Sequence, residues 1–144
     1  GVGSFEPLFP LFGGSMALRW ADFITPSTLQ LAPLLELLLE PIQTAEQLAT
    51  LQLGLQEVLV NAVRHGNGND PLKCVRVRRI LTPQWCVFQV QDEGPGVPPQ
   101  ARLAALPERL DALSGRGFFL IHQCFDDVRW SRRGNRVQVA LRRA

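Results

Sequence analysis

Leucine recurs at helical spacing early in the chain. Leu31, Leu34, Leu35 and Leu38 share one side of a 3.6-residue period, with Glu36 and Glu40 off it, which predicts a short amphipathic helix. Pro33 is tolerated only in its first turn, and Pro41 stops it. Thr44-Ala45-Glu46-Gln47 has the form of a capping box and opens a longer helix with Leu48, Leu51, Leu55, Val58, Leu59 and Ala62 on its apolar face. This helix is expected to end at His65-Gly66, with Gly66 in a left-handed cap, before a loop from Asn67 to Pro71. Elsewhere the chain reads as strands. Residues 17 to 24 can form a first strand, and Pro26-Ser27-Thr28 a turn or helix start. Cys74 to Ile80 and Trp85 to Gln91 predict a hairpin around Thr82-Pro83-Gln84; Val128 to Ser131 and Arg136 to Leu141 predict another, turning at Gly134-Asn135. Between them lie a long connection, residues 97 to 114, broken by Pro107, and a short helix from Gly117 to Phe125. The order predicts an α+β domain, a two-layer α/β sandwich with a mixed, mostly antiparallel sheet and helices on one face.

Composition narrows the class. The chain has 144 residues, 46% apolar and 19% charged, which suits one globular domain with its own core. Its first 15 residues differ, being rich in Gly, Phe and Pro without a period. They read as an appended arm, with the domain proper over residues 16–144, or equally as a packed edge of that domain. The apolar stretches around Leu34 to Leu39 and Val58 to Val63 are too short to span a bilayer, and no stretch has the make-up of a signal peptide. Cys74, Cys86 and Cys124 are odd in number and lack C-x-x-C spacing, so they read as buried free thiols in a reducing cytoplasm. A net charge of +2 gives no argument for nucleic acid.

Three short constellations can carry chemistry. Glu57 and Asn61 are four residues apart, which puts a carboxylate and a hard amide oxygen on one helix face, shared with Thr50 and Gly54 and roughly opposite the leucine stripe. A carboxylate can act as a base, and an amide oxygen suits Mg²⁺. Asp92-Glu93-Gly94-Pro95-Gly96 follows the apolar strand Val87 to Val90, exposing one carboxylate at a strand end and then backbone free to approach a ligand. Ser114-Gly115-Arg116-Gly117-Phe118 opens a short helix, where glycine-rich backbone amides form an anion site. Each alone reads more simply as a solvated helix face, a turn and a hinge.

Together, in this order, they resemble the GHKL superfamily of ATP-binding domains. LQEVLVNAVRHG (residues 55–66) looks like the N box, QDEGPGVP (residues 91–98) like the first glycine box, and SGRGFFLIHQCFDD (residues 114–127) like the second. The short chain, His65-Gly66 after the N box and the GRGFFLI string are most similar to the anti-sigma-factor serine kinases. The resemblance covers roughly Ala17 to Arg143 and implies the Bergerat ATP-binding fold. It implies that Glu57 is the general base and that Asn61 coordinates the Mg²⁺ bridging the phosphates. Asp92 would bond the adenine amino group, while Gly94 and Gly96 let the chain pass close to the base. Gly115, Arg116 and Gly117 would line the phosphates, with His65 and Phe118 completing the nucleotide-contacting set. One departure stands out. The family often has a Gly-Thr pair before the last strand, whereas here Gly134 precedes Asn135 and Arg136. The connection that the resemblance makes a lid, residues 97 to 114, is also poor in basic residues; only Arg102, Arg109 and Arg116 could reach a γ-phosphate from this region.

Other residues read as structural. His65 and His122 are no candidates for phosphorylation or metal binding, and Trp20, Trp85 and Trp130 read as core or sheet-face packing. Arg76, Arg78, Arg129, Arg132, Arg133, Arg136, Arg142 and Arg143 read mainly as the solvated face of an antiparallel sheet.

The resemblance implies a cytoplasmic protein serine/threonine kinase that binds Mg-ATP and phosphorylates an anti-sigma-factor antagonist. Free of that antagonist it would hold a sigma factor. The family also implies a homodimer, with no direct contact to nucleic acid or membrane. An ATP-gated binding module without phosphotransfer is the first alternative, and Glu57 speaks against it, since binding alone needs no base. The detached catalytic domain of a histidine kinase is the second; its N box usually lacks this Glu. A gyrase- or MutL-like ATPase shares Glu and Asn but works with a transducer domain.

Overall fold

The computed structural model describes residues 19–102 and 118–143. Five strands form one sheet: β1 (Arg19–Pro26), β2 (Cys74–Leu81), β3 (Trp85–Gln91), β4 (Asp127–Trp130) and β5 (Arg136–Arg142), in the order β1-β2-β3-β5-β4. Every pairing between them is antiparallel, with registers such as Phe23↔Val77, Val77↔Val90, Val90↔Val137 and Val137↔Trp130. Three helices, α1 (Ala32–Leu39), α2 (Ala45–Asn61) and α3 (Phe118–Cys124), complete the described elements apart from two short helical turns. This is the expected two-layer α+β sandwich.

The period-two pattern decides which face meets the helices. Val75, Val77 and Leu81 of β2, Cys86, Phe88 and Val90 of β3, and Val137 and Val139 of β5 form one core cluster with Leu35 and Leu38 of α1, Leu51, Leu55, Val58 and Leu59 of α2, and Phe118 and Ile121 of α3. Arg79 occupies the same face, and its guanidinium donates to the carbonyls of Leu37 (2.9 Å) and Leu38 (3.0 Å). It thereby caps the C-terminus of α1, where the chain leaves carbonyls unpaired. The second helix begins as expected, with the Thr44 hydroxyl accepting from the Gln47 N–H (3.3 Å). The reciprocal half of the capping box is absent, because the Gln47 amide donates to the Arg142 carbonyl instead (3.3 Å).

Two expectations fail here. The outer sheet face is not simply solvated. Ile80, Val87 and Ala140 are fully buried on it and form a second cluster with Trp85, and the Gln89 amide donates to the Gln138 side chain (2.8 Å). Arginines frame this centre: Arg78 pairs with Asp22 (2.7 Å) and lies over Trp20, while Arg142 lies over Trp85. Nor is Gly66 a left-handed cap. The helix continues beyond α2 as a π-helical turn, Ala62–Gly66, closed by the Asn67 N–H on the Ala62 carbonyl (2.8 Å). The positive φ angles fall on Gly68 and Asn69 instead. The arm, residues 1–15, lies outside the described residues, as do Gly115, Arg116 and Gly117.

Candidate functional site

The extra residue in the π turn is what delivers the next segment to the sheet, a common use of such turns near functional sites. It brings Gly66 against the end of β3, so close that a Cβ on Gly66 would overlap the Asp92 carboxylate. A Cβ on Gly94 would in turn overlap the Gly66 carbonyl oxygen. Both positions therefore need glycine for a close approach of two backbones.

Asn67 fastens this junction. It is 2% exposed, and its side chain is fully used. Its Oδ1 accepts the Glu93 N–H (2.7 Å); its Nδ2 donates to Ser27 Oγ (2.7 Å) and to the Cys74 carbonyl (3.0 Å). The Glu93 carboxylate closes the loop by accepting the Cys74 N–H. Four segments thus meet on one amide: the end of β1, the end of the long helix, the start of β2 and the end of β3. Sequence reading missed this role, because an Asn between glycines reads as an ordinary loop residue. The hydrogen bonds that single it out are made to segments remote in the chain.

Asp92 stands just past β3. Its N–H donates to the Asn135 carbonyl (2.9 Å), and its Oδ1 accepts the Gly94 N–H (2.8 Å). The following segment is held to the β4–β5 turn. Val97 N–H donates to the Gly134 carbonyl (3.0 Å), and Gly96, at φ +97°, packs against the Arg133 carbonyl. Arg102 reinforces this contact by donating to the carbonyls of Val97 (2.8 Å) and Arg132 (3.1 Å). Its guanidinium is therefore committed at this end of the site, away from the expected γ-phosphate role. His122 is structural as expected, with Nε2 3.0 Å from the Arg102 carbonyl, so that nitrogen carries the proton.

A cleft opens between these elements. Val58, Val90, Val97, Ile121 and Val137 supply apolar walls, and Asn61, His65, Asp92, Phe118, Trp130 and Asn135 are further lining residues. Its free space is about 400 Å³ up to the mouth, but only about 30 Å³ lies far enough from the walls to seat the centre of a water molecule. The cleft is a narrow slot. Of the sequence-selected residues, Asn61, His65, Asp92 and Phe118 line it together, whereas Gly94 and Gly96 are not among its lining residues and pack against the Gly66 and Arg133 carbonyls. Glu57 lies half-buried one turn back along α2. Its charge helps, after burial, to push the Cys124 thiol up. The helix face carrying Glu57 is not the free surface its polar residues suggest. At Gly54 it packs on Phe125 and Cys124, where a Cβ would overlap both side chains. Trp130 is part of the slot, in addition to its packing role.

Burial in the slot pushes the Asp92 carboxyl up to about 6, outweighing the Gly94 hydrogen bond and the charges of Arg133 and Lys73, which lower it. The folded value exceeds the unfolded one, so this group contributes stability at pH 4 that is lost as pH rises through about 6. Asp92→Asn abolishes that titration while keeping an acceptor for Gly94. The variant should match the wild type near pH 4 and exceed it by about 1–2 kcal/mol at pH 7.5, after allowance for solvent screening. Urea unfolding of both proteins at the two pH values checks this.

A family model described as the histidine kinase-like ATPase domain matches residues 34–142. Two curated proteins, each an Anti-sigma F factor, from Geobacillus stearothermophilus and Geobacillus kaustophilus (strain HTA426), are each 30% identical to the chain over 88 residues. The match spans 59% of this chain and 60% of theirs, so it covers about three-fifths of the length of those relatives.

Proposed function

The chain belongs to the histidine kinase-like ATPase family, and from that premise we propose that it is an anti-sigma-factor-type serine/threonine kinase acting on an anti-sigma-factor antagonist. The observation that carries this reading is one helix, α2, bearing Glu57 and Asn61 one turn apart, with Asn61 lining the slot that ends at Asp92. A binding module needs the slot alone; a kinase needs a base beside it.

The residues fit Mg-ATP. The apolar walls accept a purine, the Asp92 carboxylate accepts from its amino group, and the Asn61 amide oxygen is a hard neutral donor of the kind Mg²⁺ takes when phosphates supply its other ligands. When bound, Mg²⁺ would neutralise phosphate charge. Glu57 would take the proton of the attacking serine hydroxyl. The serine oxygen forms its bond to the γ-phosphorus as the bond to the β-phosphate oxygen breaks, and ADP leaves. Such transfer depends mainly on positioning and charge neutralisation. Gly115, Arg116 and Gly117 belong to this proposal as phosphate-lining residues on the strength of the family pattern.

Among the described residues no helix is long and apolar enough to cross a membrane. We place the kinase in the cytoplasm, as a homodimer that releases a sigma factor once its antagonist engages it. Incubation with labelled ATP and the antagonist protein tests the activity: label should appear on an antagonist serine. ATP binding without any transfer would favour the gated binding module. Light scattering should give twice the chain mass, and a monomeric mass at high concentration rejects the dimer.

A further inference from the structure

We propose that Trp130 is a nucleotide-contacting residue, its indole N–H donating to a ring nitrogen of the bound purine. This rests on the nucleotide reading above and adds a specific contact to it.

Trp130 ends β4 and is paired with Val137, so its side chain falls on the helical side of the sheet. There it stands edge-on to Phe118, with ring centroids 5.4 Å apart and planes at 74°. The Arg102 guanidinium lies 6.0 Å from its ring centroid. Trp130 lines the same slot as Asp92, Gly134 and Asn135. Its ring is thus fixed by neighbours on two sides within the lining of the slot that Asp92 shares.

The indole Nε1 is buried and has no hydrogen-bond partner among the described residues. Indole nitrogen is a donor only, so no change of rotor or tautomer can relieve it. Buried tryptophan N–H groups ordinarily find an acceptor, and each exception calls for an explanation. The Asp92 carboxylate in the same slot, by contrast, has a partner: its Oδ1 accepts from the Gly94 N–H. A donor left over in the wall of a binding slot is matched by an acceptor on the ligand.

The position selects the acceptor. A purine carrying an exocyclic amine for Asp92 also carries unsubstituted ring nitrogens along its edges, and these are acceptors only. The phosphates would lie toward Asn61, the metal ligand of the proposed function.

Trp130→Phe keeps an aromatic ring against Phe118 and deletes only the donor. Calorimetry with ADP should show it binding roughly 3- to 10-fold more weakly than the wild type, the worth of one neutral hydrogen bond. The same titration with 1-deaza-, 3-deaza- and 7-deaza-ADP locates the partner. The wild type should lose a similar factor with one of the three, and Trp130→Phe should bind that analogue and ADP alike. Equal ADP affinity of Trp130→Phe and wild type overturns the proposal. If the variant fails to fold, the wild type decides alone, and undiminished binding of all three analogues overturns it. A wild type that binds no ADP removes the nucleotide reading itself, a different outcome.

Discussion

Glu57→Gln should leave Mg-ATP binding intact and slow phosphoryl transfer by roughly 10²- to 10⁴-fold, the usual worth of a positioned general base. Glutamine keeps the shape of the side chain and loses only its ability to take a proton. Glu57 sits in the middle of a helix with a formed N-cap and lies off the leucine stripe, so the change should cost little stability. Asn61→Ala should fail differently. It removes the proposed metal ligand, so the advantage that Mg²⁺ gives to ATP binding should shrink together with the rate. The measurement is a pair of ATP titrations, with and without Mg²⁺, run beside the antagonist phosphorylation assay. Transfer by Glu57→Gln at the wild-type rate means that Glu57 is not the base, and the kinase reading then loses its main residue-level support.

Asp92→Ala should weaken ATP binding by roughly 10- to 150-fold, the worth of a hydrogen bond to a charged group. The wild type should bind ATP and ADP well and GTP poorly, because guanine presents a carbonyl where adenine presents its amino group. Discrimination should also fade as pH falls through about 6, where the carboxylate is lost. Ligand affinity and the stability of the ligand-free domain should therefore respond to Asp92 in opposite directions. Its burial as a charge is unfavourable to the empty fold and useful only with a ligand present. Equal affinity for ATP and GTP at pH 8, by calorimetry, would remove Asp92 from its role.

Much of this was legible in the residues. The leucine spacing of α1 and α2, the two hairpins and the D-x-G-x-G turn are local signals, and each element formed where its pattern lies. Local signals also explain the failures. Gly66 looks like a helix cap because nothing nearby in sequence shows that Asp92 needs the space. Gly54 looks solvated because Phe125, which covers it, lies far along the chain. Asn67 and Trp130 escaped for the same reason, since their significance is a set of partners or a missing partner fixed by tertiary packing. Arg102 read as one of three arginines able to reach a γ-phosphate, and its guanidinium donates to the Val97 and Arg132 carbonyls.

The strand order has a consequence in time. Only the β2–β3 and β4–β5 pairings are local hairpins. The β1–β2 pairing closes around both α1 and α2, and β5, which completes the cover over α2, is the last made of the five described strands. At synthesis speeds of about 5–20 residues per second, Leu51, Leu55 and Leu59 emerge several seconds before their final partners exist. During that interval the apolar face of α2 has only α1 and the first hairpin to lie against. A newborn chain is then a half-sandwich with an uncovered edge on β3, the strand that β5 will occupy. Its exposure to aggregation is set by how long β5 takes to be made and to leave the ribosome.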